Sequence, residues 1–360
     1  MKKVGILTYH SSDNYGSVLQ AYALCKYLSG FYDAEIIDYR KSEVKNLYKI
    51  FKPMNSKFNI ITNFYNALYY KRLKKQKRVF EAFRQNFLNL AKPEINTKEE
   101  LDKSVKGYEA LVCGSDQVWN FDILDFDTSY LLDFPEFQGK KIAYAASMGP
   151  KQKSKEQVAE YKTQFEDFDK ISVREDSAKE VLSEVLEKNT STVIDPVFLV
   201  SKEEWEEQIE KADIQEKKDE YVFCYFPGGV SKSLEKFSQD LAKKMNCKRV
   251  LVVSEWRNLF RPGKKMYDCS PLEFVSMIKN AKAVCTSSFH GTAFSVIMDT
   301  PLYVEMGGEK DDARILNILR MANKADCIIN RKEDYKEASQ EETLDEVIDY
   351  SKKFLLNSIE

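Results

Sequence analysis

The chain has 360 residues, which is above the size at which one hydrophobic core usually stops growing, so two domains are the default expectation. Hydrophobic residues make up 43% and charged residues 31% of the chain, which is typical of a globular protein and excludes a disordered one. The formal net charge of -2 gives no general attraction to nucleic acid, and no apolar run of about eighteen residues predicts a membrane span.

Short apolar runs, each followed by a helical pattern, predict a first α/β domain. The predicted strands lie at 4–9, 34–39, 110–114, 141–146, 171–174 and 192–194. This alternation is typical of a doubly wound parallel sheet with helices on both faces. Polar residues follow the first strand at once, so we expect no signal peptide and a cytoplasmic location.

A second α/β series begins after Asp195-Pro196. Its predicted strands lie at 221–226, 250–254, 283–286 and 301–305. Its predicted helices lie at 203–211, 233–245, 271–279, 290–298 and 314–321. We expect an N-terminal Rossmann-like domain over 1–198 and a C-terminal one over 199–335. A final helix within 336–360 is expected to pack back on the N-terminal domain.

A basic and aromatic insertion, predicted to be helical, lies at about 41–100. Its part at 41–84 carries twelve lysines and arginines against two glutamates. Aromatic residues are interleaved with them, among them Tyr48, Phe51, Phe58, Phe64, Tyr65, Tyr69 and Tyr70. One interpretation is that the aromatic residues pack on the core while the lysines face solvent. The other is that 41–84 docks on an anionic membrane, at its inner face, or on an acidic glycan carrier.

The cysteines and histidines predict no metal site and no disulfide framework. Seven cysteines are spread along the chain without a CxxC pair, and the two histidines are His10 and His290. We therefore expect reduced thiols, no metal and no cofactor.

The sharpest candidate site is the strand-to-helix turn around His290. Ligands bind at the carboxyl edge of open α/β sheets, where this turn is predicted to lie. The hydroxyls of Ser287, Ser288 and Thr292 and the helix amides could hold an anion, and Gly291 would let it approach the backbone closely. A lone histidine is more often structural, but the polar turn favours a catalytic or binding role for this one.

The turn after the first strand is a second candidate. Asn14, Tyr15 and Gly16 could hold a sugar or an anion there, and the turn lacks the GxGxxG pattern of dinucleotide sites. The alternative is a plain left-handed turn filled by asparagine and glycine.

A carboxylate, an amide and an indole follow the third predicted strand. Asp116 and Gln117 could bond sugar hydroxyls while the face of Trp119 covers sugar C–H groups. The alternative is that Asp116 caps a helix.

Two arginines could bind a phosphate or carboxylate. Arg174 follows a predicted buried strand and offers a two-pronged guanidinium. The alternative is a surface arginine paired with Glu175 or Asp176. Arg314 opens a predicted helix, and its role stays open.

Taken in chain order, these stretches resemble the polysaccharide pyruvyl transferase family. The motifs are Asn14-Tyr15-Gly16, Gly114-Ser115-Asp116-Gln117, Ser172-Val173-Arg174-Glu175, Asp195-Pro196 and Ser288-Phe289-His290-Gly291. The resemblance implies two Rossmann-like domains facing a cleft, as in GT-B glycosyltransferases. It implies transfer of a pyruvyl group from phosphoenolpyruvate onto two sugar hydroxyls of a cell-surface or exopolysaccharide precursor, giving a cyclic ketal and phosphate.

The resemblance also implies roles for individual residues. The family's histidine maps onto His290 and the arginine of its SxRE-like motif maps onto Arg174. Many members carry an acidic residue and an arginine, as in a DRFHG pattern, where this chain has Ser287 and Ser288. Arg174 or Arg314 would then have to supply the missing positive charge.

A mechanism follows as a hypothesis. His290 acts as the general acid toward phosphoenolpyruvate or as the base toward the sugar hydroxyl. Arg174 and the helix amides hold the carboxylate and phosphate and stabilise the phosphate as it leaves. Asp116 orients or deprotonates the acceptor hydroxyl. The expected partners are phosphoenolpyruvate and a free or lipid-linked saccharide, and no nucleic acid. Two other interpretations stay open: a GT-B glycosyltransferase that uses a nucleotide sugar, and a non-catalytic glycan-binding protein.

Overall fold

The protein is described here by a computed structural model. It describes residues 1–41, 49–122, 126–149, 154–214, 219–227, 229–253, 256–306, 312–329 and 342–360. Tyr48 of the insertion and part of the predicted C-terminal segment, 336–341, lie outside the described residues.

The first unit is built around a parallel six-stranded sheet with the strand order β2-β1-β3-β4-β5-β6. Its strands are β1 (Lys3–Leu7), β2 (Asp33–Ile36), β3 (Ala110–Cys113), β4 (Lys140–Ala146), β5 (Lys170–Val173) and β6 (Ser191–Thr192). The apolar runs form these strands because both faces of a parallel sheet are covered by other elements. Val4 pairs with Ala34 on one side and with Ala110 on the other.

The helices of the first unit follow its strands. They are α1 (Tyr15–Ser29), α4 (Lys98–Ser104), α5 (Lys155–Ala159), α6 (Lys162–Glu166), α7 (Asp176–Leu186) and α13 (Leu344–Ile359), with short 3-10 helices at Val105–Gly107, Thr128–Leu131 and Pro196–Leu199. The side chain of Asn14 caps α1, and most residues of that helix are buried. The Ser351 hydroxyl of α13 accepts a hydrogen bond from the Ile194 amide at 3.0 Å.

The second unit contains a parallel five-stranded sheet with the order β11-β10-β7-β8-β9. Its strands are β7 (Tyr221–Tyr225), β8 (Lys248–Val252), β9 (Lys264–Met266), β10 (Ala283–Thr286) and β11 (Leu302–Val304). All ten predicted strands are present, with ends within three residues of the prediction. The short strand β9 was not predicted, because its three residues include two lysines and form no apolar run.

The second unit has helices on its sheet and two more from the insertion. They are α2 (Lys57–Leu68), α8 (Lys202–Lys211), α9 (Lys232–Lys244), α10 (Pro271–Lys279), α11 (Phe289–Ile297) and α12 (Asp312–Met321), with 3-10 helices at Trp256–Phe260 and Ala325–Cys327. A long helix, α3 (Tyr70–Phe87), directly follows α2.

The contacts between residues divide the chain into two compact units. The first comprises Met1–Asn46, Arg84–Val200 and Glu342–Glu360, and the second comprises Leu47–Phe83 and Ser201–Glu341. Most of the insertion therefore groups with the second unit, whereas the sequence analysis placed it with the N-terminal domain. Ring contacts of Tyr65 with Phe260 and of Tyr69 with Tyr267 join the insertion to this unit, and the sequence carries no signal for these pairings.

Each unit has its own buried core. Trp119 packs edge-on against Phe165 in the first unit, with ring centroids 4.9 Å apart, and Trp205 packs likewise on Phe294 in the second at 5.1 Å. Such pairs stabilise a fold by about 0.5–1.5 kcal/mol beyond the burial of their surface. None of the described helices is long and apolar enough to cross a bilayer.

Candidate functional site

The turn between β10 and α11 is held by its own hydroxyl groups. The Ser288 side chain caps α11 by accepting a hydrogen bond from the Gly291 amide at 3.3 Å. The Ser288 amide donates to Thr286 Oγ1 at 3.0 Å, and that hydroxyl donates to the Tyr225 carbonyl at 2.7 Å. The turn is thus tied to the neighbouring strand β7, which fixes where α11 begins.

Three of the predicted donor-binding residues also hold the turn together. Ser288 uses its hydroxyl as a cap, and the fully buried Thr292 donates its hydroxyl to the Ser288 carbonyl at 2.9 Å. A Cβ atom added at Gly291 would lie 2.5 Å from Thr286 Oγ1. Gly291 is therefore needed for close packing on Thr286, and its role in the approach of a ligand to the backbone stays a prediction.

His290, Arg314 and Ser287 remain partly exposed at the same edge of the second unit. His290 is the second residue of α11, and its ring meets the Phe289 ring edge-on with centroids 5.0 Å apart. The guanidinium carbon Cζ of Arg314 lies 5.7 Å from the centroid of that Phe289 ring. An imidazole and a guanidinium therefore flank one aromatic ring, next to the Ser287 hydroxyl.

Glu305 is an acidic residue of this edge that the sequence analysis missed. It follows β11 directly, and its amide donates to the Thr286 carbonyl at 3.1 Å. Its buried carboxylate accepts a hydrogen bond from the Ser231 hydroxyl at 2.6 Å. Its position in the sequence could have indicated it, because Glu305 ends a predicted strand. The carboxyl ends of such strands lie at the edge of the sheet where ligands bind.

At the carboxyl edge of the first unit, Arg174 forms a buried ion pair. Its Nη1 atom lies 2.6 Å from Oδ2 of Asp195, which also accepts a hydrogen bond from the Ser115 hydroxyl at 3.2 Å. Burial opposes the charge on this guanidinium, but the carboxylates of Asp195, Glu175 and Asp116 outweigh it and raise the pKa of Arg174. The charge of Arg174 is thus balanced inside the unit, with Asp195 as its nearest partner, and its role as an anion-binding group stays a prediction.

Asp116 keeps features of a functional residue. Its φ of 75° is left-handed, which is uncommon for a side chain other than glycine. Its carboxylate accepts hydrogen bonds from the Ser17 hydroxyl and, at 2.8 Å, from the Gln117 amide. Asp116 and Gln117 are both partly exposed. No helix begins after Asp116 in the described residues 116–122, so Asp116 is not a helix cap there.

The other predicted acceptor-binding residues have structural roles. Trp119 is fully buried and its indole N–H donates to the Tyr130 carbonyl at 2.9 Å, so its face is not open to a sugar. Tyr15 and Gly16 are buried in the first turn of α1. Asn14 is exposed, but its side-chain oxygen accepts from the Gly16 amide at 2.8 Å as the cap of that helix. These four residues therefore contribute to folding, and a role for them in binding an acceptor stays a prediction.

A third polar cluster surrounds His10, which is buried at the end of β1. Its Nε2 lies 2.8 Å from Oδ1 of Asp38, and its Nδ1 lies 3.1 Å from the Thr8 carbonyl oxygen. Arg40 donates to the same Asp38 carboxylate at 2.6 Å. Burial alone would raise the pKa of Asp38, but the hydrogen bonds from His10 and Arg40 outweigh it and lower that pKa.

The described residues contain no group of three or more histidine, cysteine, aspartate or glutamate side chains that could hold a metal ion. The polar groups at both sheet edges are hydroxyls, carboxylates, guanidinium groups and the partly exposed imidazole of His290. This chemistry suits proton transfer and the binding of an anion or a sugar.

Comparison with solved structures identifies the fold class. The UDP-GlcNAc 2-epimerase from Methanocaldococcus jannaschii is similar with a TM-score of 0.53 and 12% identity, over 92% of this chain and 94% of that one. The same epimerase in complex with UDP-GlcNAc and UDP gives a TM-score of 0.52 at 12% identity, over 99% and 100% of the two chains. The predicted α/β fold with two Rossmann-like units is confirmed.

The sequence comparison identifies the family. Residues 14–304 match the polysaccharide pyruvyl transferase family, and the chain belongs to it. A search of curated protein sequences finds no match to this chain. The family match therefore identifies the class of protein. The residues at the carboxyl edges of the two sheets are the candidates for its chemistry.

Proposed function

We propose that the chain transfers a pyruvyl group from phosphoenolpyruvate onto two hydroxyls of a saccharide, forming a cyclic ketal and inorganic phosphate. One observation supports this most: in a chain of this family, a partly exposed histidine and a partly exposed arginine flank the same ring at a strand-to-helix turn. The acceptor is proposed to be a precursor of a cell-surface or exported polysaccharide, modified in the cytoplasm.

In this proposal His290 delivers the first proton. Protonation of the methylene carbon of phosphoenolpyruvate makes the neighbouring carbon electrophilic, and one sugar hydroxyl adds there and loses its proton. The C–O bond to phosphate then breaks, and the second hydroxyl adds to the same carbon. The two hydroxyl groups together lose two protons. One is equivalent to the proton that the new methyl group has gained, and the other is taken up by the released phosphate. An imidazole suits both directions of this transfer near neutral pH.

Arg314 and Ser287 are proposed to hold the donor. The phosphate and carboxylate of phosphoenolpyruvate need a cation, and Arg314 is close to the His290 turn through the Phe289 ring. Ser287 stands where many relatives have an acidic residue, and its hydroxyl is held by one long contact of 3.5 Å to the Gly229 carbonyl. Arg174 is not included in the proposed donor site, because its charge is already balanced by Asp195.

Asp116 is proposed to orient an acceptor hydroxyl, with Gln117 beside it. Its carboxylate is held in place by Ser17 and by the backbone, and it is partly exposed. A fixed carboxylate can accept a hydrogen bond from a sugar hydroxyl and receive its proton as the C–O bond forms.

The test is phosphate release from phosphoenolpyruvate in the presence of free and lipid-linked saccharides, with the product analysed by mass spectrometry. We expect release that depends on the acceptor, together with a saccharide that has gained a pyruvyl ketal. Release without any acceptor would indicate simple hydrolysis. Absence of release across a broad acceptor panel, with no binding of phosphoenolpyruvate, would overturn the proposal.

Glycosyl transfer from a nucleotide sugar is the second candidate. It is favoured by the likeness in fold to an epimerase whose structure holds UDP-GlcNAc, and by Ser287 and Ser288 in place of the acidic residue and arginine. A rise in melting temperature with UDP or another nucleoside diphosphate, and none with phosphoenolpyruvate, would favour it. Binding of saccharide without turnover of any donor would favour a glycan-binding protein.

A further inference from the structure

Helix α2 exposes an apolar face on the second unit. None of its twelve residues is buried. Ile60, Phe64 and Leu68 recur every four residues, so they form one stripe along the helix, and they are 52%, 62% and 64% exposed. Phe58 and Ile61 widen this stripe. A continuous apolar surface of this kind on a globular protein marks an interaction site.

The polar side of α2 faces the protein, which inverts the usual orientation of a surface helix. Asn59 donates to the Pro53 carbonyl at 2.9 Å, Asn63 donates to the Lys52 carbonyl at 2.8 Å, and Asn66 donates to the carbonyl of residue 50. A helix that packs on a core normally turns its apolar stripe inward. Here the asparagines hold the loop, and the apolar stripe is left to face outward.

Aromatic contacts fix α2 in this orientation. The Tyr65 ring meets Phe260 edge-on with centroids 5.4 Å apart, and Tyr69 stacks on Tyr267 at 6.2 Å. Phe260 is itself 63% exposed and extends the apolar surface beyond the helix. The surface is therefore held by specific packing within the second unit.

Positive charge surrounds this apolar surface. Residues 49–83 contain nine cations against Glu81 alone: Lys49, Lys52, Lys57, Lys71, Arg72, Lys74, Lys75, Lys77 and Arg78. Lys57, Lys71 and Lys74 are exposed and have no carboxylate partner in the described part of the chain. Lys57 opens α2, and Lys71 and Lys74 follow its last turn.

We propose that α2 docks the protein on the surface of an anionic lipid bilayer, with the Ile60–Phe64–Leu68 stripe inserted at the headgroup boundary. An interfacial helix combines an apolar face with flanking cations, which is what this segment presents. A second copy of the chain would bring two strongly cationic segments together, and an acidic glycan offers no apolar surface. This inference does not depend on the reaction proposed above.

The experiment is sedimentation of the full chain with vesicles of phosphatidylcholine alone or with roughly one third phosphatidylglycerol. We expect binding to the anionic vesicles that weakens as salt is raised, and little binding to the neutral ones. Replacing the stripe by Ile60→Ser, Phe64→Ser and Leu68→Ser should abolish binding without lowering the melting temperature. The single change Phe31→Ser is the matched control, because Phe31 is 50% exposed on the first unit.

A charge variant tests the electrostatic part separately. Lys57→Gln, Lys71→Gln and Lys74→Gln together should weaken binding roughly 100-fold, since each lysine near an anionic surface strengthens binding several-fold. The same three changes at Lys232, Lys236 and Lys243, exposed on α9, should leave it nearly unchanged. Equal binding to both vesicle types, or none, would overturn the proposal. So would a concentration-dependent dimer that the serine variant disrupts, because the stripe would then serve self-association.

Discussion

The carboxyl edges of the two sheets use their charged residues differently. In the first unit, Arg174 and Asp195 form a buried pair, and Ser115 bonds the same carboxylate. In the second unit, His290 and Arg314 stay partly exposed around the Phe289 ring. A buried charge needs a partner to be tolerated, whereas a reacting group must reach its substrate. The first edge thus holds a charged pair buried inside the fold, whereas the second holds charged and polar side chains that stay partly exposed.

The largest expected effect is on catalysis in the second unit. His290→Ala should lower kcat/KM for acceptor-dependent phosphate release by about 100- to 10,000-fold, because general acid catalysis by the imidazole is lost. The melting temperature should stay unchanged because the side chain is partly exposed. An alanine variant that keeps full turnover would remove His290 from the mechanism.

The buried pair of the first unit should matter for stability. Asp195→Ala removes the nearest carboxylate partner of the buried Arg174 guanidinium, which should lower the free energy of unfolding by about 3–5 kcal/mol. Urea unfolding followed by circular dichroism measures this.

The matched control for that change is the exposed pair Lys162–Glu166, where Glu166→Ala should cost less than about 1 kcal/mol. The double variant Arg174→Met/Asp195→Leu should recover much of the loss, since both charges are gone. If Asp195→Ala abolishes turnover while the urea midpoint of unfolding stays fixed, the Arg174–Asp195 pair acts on substrate. The conclusion that the first edge uses this pair for folding would then be wrong.

Arg314 tests whether the second edge supplies the donor's cation. Arg314→Ala should raise the KM for phosphoenolpyruvate about 10- to 100-fold, because one charge-assisted hydrogen bond is lost. Arg314→Lys should recover part of the affinity. Arg320→Ala, in the last turn of the same helix α12, serves as the control. An unchanged KM in Arg314→Ala would shift the search for the cation elsewhere.

Gly291 tests the packing of the His290 turn. Gly291→Ala should destabilise the second unit by about 1–3 kcal/mol, because the new methyl group meets Thr286 Oγ1 at 2.5 Å. Thermal melting measures the loss. Gly107→Ala has open space around its Cβ and should be neutral. A stable Gly291→Ala protein with weakened donor binding would instead support the close approach of a ligand at this glycine.

The smallest expected effect is the pH response of the His10–Asp38–Arg40 cluster. The folded pKa of Asp38 is lowered below its ordinary value of 3.8, so its contribution to stability is complete above that value and is lost as pH falls through the folded pKa. Wild type should therefore exceed Asp38→Asn in unfolding free energy by a constant amount near neutral pH, and the gap should shrink in acid. A gap that widens on acidification would contradict the lowered pKa.

The sequence by itself determined the elements and the family. Apolar runs of three to six residues, each followed by a helical pattern, are typical of a buried parallel sheet, and all ten predicted strands are present. The His290 turn was predicted for the same reason, because a strand end and a helix start are local signals. The order of the motifs carried the family, which the match over 14–304 confirms.

Tertiary structure decided how the polar groups are used. Ser288 and Thr292 bond within their own turn, but the sequence does not say whether their hydroxyls bond the turn or a ligand. The pairing of Arg174 with Asp195 joins residues 21 positions apart in the sequence. The burial of Trp119 and the outward apolar face of α2 likewise depend on packing against other elements. Apolar periodicity can be read directly from the sequence, because it is a local pattern. The partner of a buried hydrogen bond or ion pair depends on which residues the fold brings together.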